Sequence, residues 1–361
     1  MRYIFYFFTV LFLSASAPAR GDTGTAALSF LKLDSGARAA AVGGAFTAGG
    51  SDVFGVFYNP ALASVLPGHE IGLMHNILVE GIKQEEIFYA FPLDGKVSLF
   101  AGLNMLLSGS MDGYAYTPDG PESTGSFSSK DMAGYAGAAV KMNEALSFGG
   151  TFKYYYQGVD SESANAAGAD LGLLYRFKNY RAGASVSNIG NKIKVGFDSF
   201  DLPMIVRAGV SGKFRDILTV SADYINYNDS GAAGAAGAEL DIPLKEIGKV
   251  ALRAGYRKGG ADNAGSGISA GAGFAAGGLS IDYAYVPYGD LGGANRISMN
   301  FSFGAAGGEK ENAKRTSEKD IRKSEKKAAA VKDVKKENPE KKKKASGSNK
   351  AQSGDSIYFL W

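Results

Sequence analysis

The residues that most often carry enzyme chemistry are scarce in this sequence. It contains no cysteine and only two histidines, His69 and His75. His75 lies an even number of residues from the apolar residues Ile71 and Ile77, and therefore on the same face of a strand. We predict that this face points outward. The sequence also has no GxGxxG at a strand-to-helix junction, and phosphate binding is therefore not supported. We expect no enzyme activity, no metal site and no cofactor.

Charged side chains within the alternating segments are the other candidates for chemistry. They alternate with the apolar residues and so lie on the opposite face of each strand, which we predict to line an interior. Buried charges of mixed sign pair with one another or stay hydrated, which favours structural pairing, and selection of a substrate is the alternative. These residues are Lys153, Asp170, Arg176, Arg181, Arg207, Arg253, Arg257 and Asp282.

The elements that position these charges show a two-residue period. In the segment 297–303, ISMNFSF, apolar and polar residues alternate strictly, and fourteen segments of this kind lie between residues 70 and 303. The 50 glycines and abundant Tyr and Phe suit a membrane barrel, in which small residues pack between strands and aromatic residues form interfacial girdles. A soluble β-sandwich is the alternative, but its strands would not each need an apolar stripe facing outward.

The connections between these segments alternate in length. Short turns are predicted at 94–95 and 143–144, and longer loops at 108–130 and 189–203. Short periplasmic turns and long external loops are typical of outer-membrane barrels. The sequence thus predicts an all-β fold, a 14-stranded antiparallel transmembrane β-barrel over residues 70–304, in contact with outer-membrane lipid.

The two ends of the chain differ from this barrel. Residues 1–19 have the basic, apolar and small-residue order of a secretory signal peptide, with a membrane anchor as the alternative. Residues 305–361 hold 16 Lys or Arg against 9 Asp or Glu, whereas residues 21–304 hold 21 against 27. We predict a disordered, Lys-rich periplasmic tail that contacts a protein, peptidoglycan or anionic lipid, or is simply solvated; export argues against nucleic acid.

The terminal apolar hexapeptide of the tail, SIYFLW, has two interpretations. Trp361 is either a barrel-assembly signal or part of a docking peptide, because Phe303 already ends a suitable last strand.

Residues 20–69 do not alternate, and we predict that they form an N-terminal hatch inside the barrel. GARAAAVGGAF at 36–46 combines helix formers with glycines, and in YNPALAS at 58–64 Asn59 is suited to cap a short helix that starts at Pro60. These motifs, together with Asp52, resemble the PorV/PorQ family and, more distantly, the FadL long-chain fatty-acid transporters.

The resemblance implies a 14-stranded outer-membrane barrel with an N-terminal hatch. FadL-like members bind hydrophobic molecules and release them sideways into the membrane, whereas PorV-like members serve type IX secretion. For this chain, it implies passage of hydrophobic or small molecules across the outer membrane of a bacterial cell or, alternatively, a non-enzymatic role as a secretion shuttle or scaffold. The residues that occupy the hatch signature, each with packing as the alternative role, are Gly43, Gly44, Phe46, Asn59, Pro60 and Ala61.

Overall fold

The chain divides into the units Met1–Ala305 and Ala306–Trp361, and the described residues belong to the first. The structure is a computed structural model, and the residues it describes are 25–195, 197–245, 247–260 and 265–304. The predicted signal peptide and tail, including Trp361, lie outside the described residues. No described helix is long and apolar enough to cross a membrane.

Sixteen strands form among the described residues, and fourteen of them close into one antiparallel barrel. The strands are β1 (His69–Ile77), β2 (Lys83–Pro92), β3 (Val97–Thr117), β4 (Gly120–Lys141), β5 (Leu146–Val159), β6 (Glu162–Phe177), β7 (Tyr180–Gly190), β8 (Ile193–Val195), β9 (Asp198–Phe200), β10 (Ile205–Phe214), β11 (Leu218–Tyr227), β12 (Gly231–Leu244), β13 (Gly248–Gly259), β14 (Ile268–Ala276), β15 (Leu279–Pro287) and β16 (Gly293–Phe303). β8 and β9 pair only with each other, in the connection from β7 to β10. The barrel closes where β1 pairs with β16, from His69 opposite Phe303 to Ile77 opposite Asn295.

The barrel has two distinguishable ends. The turn end contains the first residue of β1, the last residue of β16 and the short connections after β2, β4, β6, β10, β12 and β14. The loop end contains the other connections, among them the short 3₁₀ helices Val79–Gly81 and Gly289–Leu291. Two of the tight turns are stabilised in the same way. The side-chain oxygens of Asp94 and Asn143 each accept hydrogen bonds from two backbone N–H groups at the start of the next strand.

The predicted fourteen-stranded barrel is confirmed, but the prediction of a loop at 108–130 is wrong. β3 and β4 continue through this range as a hairpin with a tip at residues 118–119. The pairing shifts register between Leu107 and Ser110, where Gly109 has a φ of 75°. A bulge of this kind interrupts the alternation on which the sequence prediction depended. The predicted loop at 189–203 likewise contains the small β8–β9 hairpin.

The outer face of the barrel is apolar and the inner face is polar or small. Leu171 remains 61% exposed in the middle of β6, while its neighbour Asp170 is buried. The same pattern recurs around the ring, and outward-facing apolar side chains include Leu73, Ile87, Phe152, Leu252, Ile281, Ile297, Met299 and Phe301. In water this surface would be an aggregating patch, whereas in a bilayer it is solvated by lipid.

Residues 25–68 lie inside this ring and are buried almost throughout. They form a 3₁₀ helix Ser29–Lys32, the short helices α1 (Ala37–Ala41) and α2 (Gly55–Tyr58), and a 3₁₀ helix Pro60–Val65. Their side chains bond to walls on opposite sides of the ring, for example Ser35 to Glu86 of β2 and Arg38 to Glu239 of β12. We call this segment, residues 25–68, the hatch.

The interior around the hatch has two different sides. Strands β2 to β5 present an aromatic wall, in which Phe88 and Tyr135 pack edge to face at 5.2 Å and Phe88 also meets Phe54 of the hatch. Strands β10 to β16 present an ionic wall, which consists of Arg207, Asp223, Glu239, Arg253, Arg257, Asp282 and Arg296. Apolar burial stabilises one face of the hatch, and ion pairs and hydrogen bonds hold the other.

Candidate functional site

Asn59 joins the hatch to the barrel wall. Its side-chain oxygen accepts the backbone N–H of Ala61 at 3.0 Å, so it caps the 3₁₀ helix that Pro60 begins, as the sequence predicts. Its amide nitrogen donates to the carbonyl oxygen of Thr47 and to that of Leu173 in β6, both at 3.0 Å. One fully buried side chain therefore fixes a helix, a second hatch loop and a wall strand.

The glycines of the hatch signature allow close approach to the ionic wall. Gly43 and Gly44 have φ values of 69° and 74°, which L side chains rarely adopt. The Gly43 carbonyl accepts a bond from Arg257 at 2.8 Å, and a Cβ on Gly44 would overlap the Arg257 guanidinium. These glycines are required where the chain turns against β13.

Phe46 follows these glycines and packs in the centre of the hatch. Its ring lies edge to face with Tyr58 at 5.5 Å, and the Arg38 guanidinium lies 5.7 Å from the ring centre. The backbone N–H groups of Phe46 and Thr47 both donate to Asp223 of β11, at 3.0 and 2.9 Å. The hatch signature residues thus make packing and anchoring contacts in this structure.

Asp34 is the centre of one ionic latch between hatch and wall. Its carboxylate pairs with Arg257 at 2.5 Å and lies 3.6 Å from Arg296. Burial by itself would raise the pKa of this carboxyl, but the Arg257 and Arg296 guanidinium groups outweigh burial and hold the pKa below its usual range. Asp34 is therefore charged in the closed arrangement.

Arg38 is the centre of a second latch. It binds both carboxylate oxygens of Glu239, at 2.7 and 2.6 Å, and also contacts Asp52 at 3.2 Å. Glu239 also pairs with Arg253, which in turn lies 2.8 Å from Asp282. A bidentate guanidinium–carboxylate pair with low exposure is among the stronger polar contacts available to a protein.

The eight charges predicted to face the interior all lie on the inward parity of their strands. Lys153 and Asp170 form a buried pair at 2.6 Å. Arg181 donates to the Gly50 carbonyl oxygen at 3.1 Å, Arg207 lies over the Tyr58 ring at 5.2 Å, and Arg176 stands opposite Arg181 at the turn end. Most of these charges therefore contact the hatch or one another.

Sequence reasoning missed several residues of the latches. Glu239 stands directly opposite Arg253 in register, and Asp223 and Arg296 are also inward, so the parity rule that found Arg253 applies to all three. Asp34 and Arg38 lie in the hatch, where no periodicity reveals which way a side chain points. Among the described residues, no group of three or more His, Asp or Glu is placed to hold a metal ion.

Two larger cavities, and a small one of 50 Å³ beside Asp34 and Gly43, flank the hatch among the described residues. At the loop end, a cavity of 300 Å³ lies between the β5–β6 hairpin and the β8–β9 hairpin, and Ala26 and Ala27 of the hatch contribute to its wall. The other residues around it are Gln157, Val159, Glu162, Ser163, Ala164, Val195 and Phe200. At the turn end, a cavity of 540 Å³ lies between the hatch and strands β13 to β16.

Solved structures with the same fold include two toluene transporters and a FadL homologue. The Pseudomonas putida toluene transporter TodX matches at 15% identity over 74% of this chain and 96% of its own, with a TM-score of 0.52. The Ralstonia pickettii toluene transporter TbuX matches at 14% identity over 74% and 98%, with a TM-score of 0.53. A Pseudomonas aeruginosa FadL homologue matches at 12% identity over 75% and 98%, with a TM-score of 0.52.

These likenesses extend over nearly the whole length of each solved chain and show a shared fold. No family model matches the sequence, and no curated protein matches it.

Proposed function

We propose that this chain is an outer-membrane protein that binds small apolar molecules at its loop end and passes them through the hatch-filled barrel. The observation that carries the proposal is the loop-end cavity, whose wall is formed mainly by Ala, Val and Phe side chains and includes the start of the hatch. A molecule bound there touches the segment that fills the barrel. Binding and movement of the hatch are therefore coupled by direct contact.

The outer surface supports this location. Besides the apolar band, five aromatic rings stack around the closure seam at the turn end, with His69 5.2 Å from Phe303 and 5.9 Å from Phe91. Tyr89 and Phe301 extend this cluster. Aromatic girdles of this kind lie at membrane–water interfaces. We place the turn end in the periplasm, together with the tail, and assign residues 1–19 as the export signal.

The class of ligand follows from the cavity and agrees with the relatives. The named structures are described as toluene transporters and a FadL homologue, which suggests that a hydrocarbon or a fatty acid suits the cavity. The ionic wall holds its side of the hatch by ion pairs and hydrogen bonds, which are contacts that water can replace when that side of the hatch moves.

Binding to purified protein tests this proposal. We would titrate the detergent-solubilised barrel with toluene and with laurate and measure bound ligand by native mass spectrometry. Ala27→Trp should fill the cavity and weaken binding at least tenfold, whereas Ser126→Trp, on the exposed β3–β4 hairpin, should leave binding unchanged. Equal binding by all three proteins would contradict the assignment of the cavity.

The β3–β4 hairpin favours a second candidate, a PorV/PorQ-like component of protein secretion. β3 pairs with β2 as far as Leu107, and β4 pairs with β5 as far as Ser129. Nearer the tip of the hairpin, β3 and β4 have only each other as strand partners. The segment 108–129 carries three acidic residues and no Lys or Arg, and Tyr116 is 92% exposed. An open strand edge with exposed aromatic residues suits addition of a strand from another protein.

Deleting the hairpin separates the two candidates. We would replace residues 110–128 with a Gly-Ser turn and compare apolar-ligand binding with the surface display of secreted proteins in the native host. A transporter should retain full binding and normal display. Loss of display with binding retained would favour the secretion role.

A further inference from the structure

The turn-end cavity has room because its wall is built from small residues. Ala251, Gly273 and Ala275 face inward from β13 and β14, and Pro67 of the hatch closes another side. The turn residues Gly277 and Gly278 form part of the rim, so the cavity lies at the turn end of the barrel. A small organic molecule fits a volume of 540 Å³.

The cations around this cavity are already bound to carboxylates. Arg38 is held by Glu239 and Asp52, and Arg253 by Glu239 and Asp282. Lys249, which is half exposed, pairs with Asp241 at 3.0 Å. These groups are therefore neutralised by partners within the protein.

Glu70 differs from the other carboxylates that line the cavity. It is 3% exposed, and it accepts the backbone N–H of Val53 at 2.9 Å and a hydrogen bond from the Ser302 hydroxyl. No cation of the described residues lies within ion-pair distance of it. Removing a carboxylate from water without a cation beside it is unfavourable. A cationic ligand would correct this imbalance.

Asn300 supplies an independent second observation. Its side chain is 3% exposed, it lines the same cavity, and its Oδ1 accepts no hydrogen bond from the described residues. In the β1–β16 register, Asn300 stands opposite Gly72 and Ser302 stands opposite Glu70. The unpaired Glu70 carboxylate and the Asn300 Oδ1 are therefore close neighbours on the inward face of the closure seam.

We propose that the turn-end cavity is a binding site for a small aliphatic amine, whose ammonium group binds Glu70 and Asn300. An ammonium carries three N–H donors and no acceptor, which suits one carboxylate and one amide oxygen. The small residues and Pro67 pack against the aliphatic chain. This site is separate from the loop-end cavity and does not depend on transport of apolar molecules.

Calorimetric titration of the full-length protein in detergent at pH 8 tests this site, with 1,5-diaminopentane as the probe and 1,5-pentanediol as the neutral control. Wild type should bind the diamine and not the diol. Glu70→Gln keeps an oxygen for the Val53 N–H but removes the charge, and should weaken diamine binding at least tenfold. Glu122→Gln removes an equal charge from the exposed hairpin and should have no effect.

A gain-of-affinity variant protects the test against loss of folding. Asn300→Asp adds a second carboxylate beside the ammonium and should tighten diamine binding several-fold, with the folded fraction checked by heat-modifiable gel mobility. The proposal is overturned if wild type does not bind the diamine, as a neutral Glu70 would predict, if the diol binds equally well, or if neither substitution changes the affinity. Toluene binding at the loop end should be the same in all of these variants.

Discussion

Asn59 concentrates several hydrogen bonds in one buried amide, and its loss should loosen the hatch. Asn59→Ala leaves the Ala61 N–H and the carbonyl oxygens of Thr47 and Leu173 without this partner. We expect a loss of about 2 to 4 kcal/mol in the free energy of unfolding. Urea unfolding in lipid vesicles measures this loss, and limited proteolysis reports the exposed hatch.

The matched control for this substitution is Asn179→Ala. Asn179 is exposed in the β6–β7 turn. Its backbone carbonyl accepts the N–H of Lys213, and its side chain forms no hydrogen bond with the described residues. It should change stability by less than about 0.5 kcal/mol. Equal effects at the two positions would show that the side chain of Asn59 does not anchor the hatch.

The latch at Asp34 predicts how the hatch responds to pH. Because Arg257 and Arg296 lower the pKa of Asp34 in the folded protein, its charge stabilises the closed state above the ordinary carboxyl pKa of about 3.9. That contribution is lost as the pH falls through the lowered pKa. Wild type should therefore keep its hatch closed from about pH 5 to 8, and release from this latch should begin only below about pH 4.

Planar-bilayer conductance between pH 3 and pH 8 checks this prediction. Asp34→Asn should show at neutral pH the openings that wild type shows only in strong acid. Frequent wild-type openings between pH 5 and pH 7 would mean that another group controls the hatch.

At the residue scale, the sequence predicts which strand charges face inward but not what they bind. Alternation places Arg253 and Arg257 in the interior because a strand has only two faces. Their partners Asp34 and Arg38 lie in a segment of short helices and turns, where no simple period relates position to direction. The latches therefore emerge only when the path of the hatch is known.

At the element scale, adjacent glycines in β5 distinguish packing against the hatch from exposure to the exterior. A Cβ on Gly149 would overlap the backbone of Pro60 and Ala61, whereas a Cβ on Gly150 would make only ordinary contacts, the nearest at 3.7 Å. Gly149→Ala should cost about 1 to 3 kcal/mol of stability and displace the 3₁₀ helix. Gly150→Ala should be close to neutral.

Denaturant unfolding of both variants, with protease protection of the hatch as a second readout, makes the comparison. If Gly149→Ala were as stable and as protected as Gly150→Ala, the hatch would not pack against β5 in the manner described.

The elements were predicted well wherever alternation is unbroken. β16 begins at Gly293 and ends at Phe303, the residue at which the alternating pattern ends. The long hairpin was missed because Gly109 and Gly125 adopt positive φ and the register shifts twice, so the period is lost although the pairing continues. Periodicity detects regular strands and overlooks bulged ones.

At the scale of the whole molecule, two leucines of equal exposure test whether lipid surrounds the barrel. Leu171 in the middle of β6 is 61% exposed, and Leu291 in a loop-end connection is 62% exposed. In water, lysine at either position would be equally acceptable. In a bilayer, Leu171→Lys should cost about 2 to 4 kcal/mol, while Leu291→Lys should cost little.

Refolding into lipid vesicles, followed by denaturant titration, measures both free energies. Equal stability of the two variants would place the apolar band outside the membrane.

The seam between β1 and β16 determines when the barrel can be completed. His69 pairs with Phe303, so the last barrel strand to be synthesised must find the first. Contacts so distant in sequence form slowly, and until they form, β1 presents an open edge that can pair with other chains. Because the hatch precedes β1 in the chain, it is synthesised before every strand of the wall. The hatch is therefore available as a surface on which the strands can pack before the seam closes.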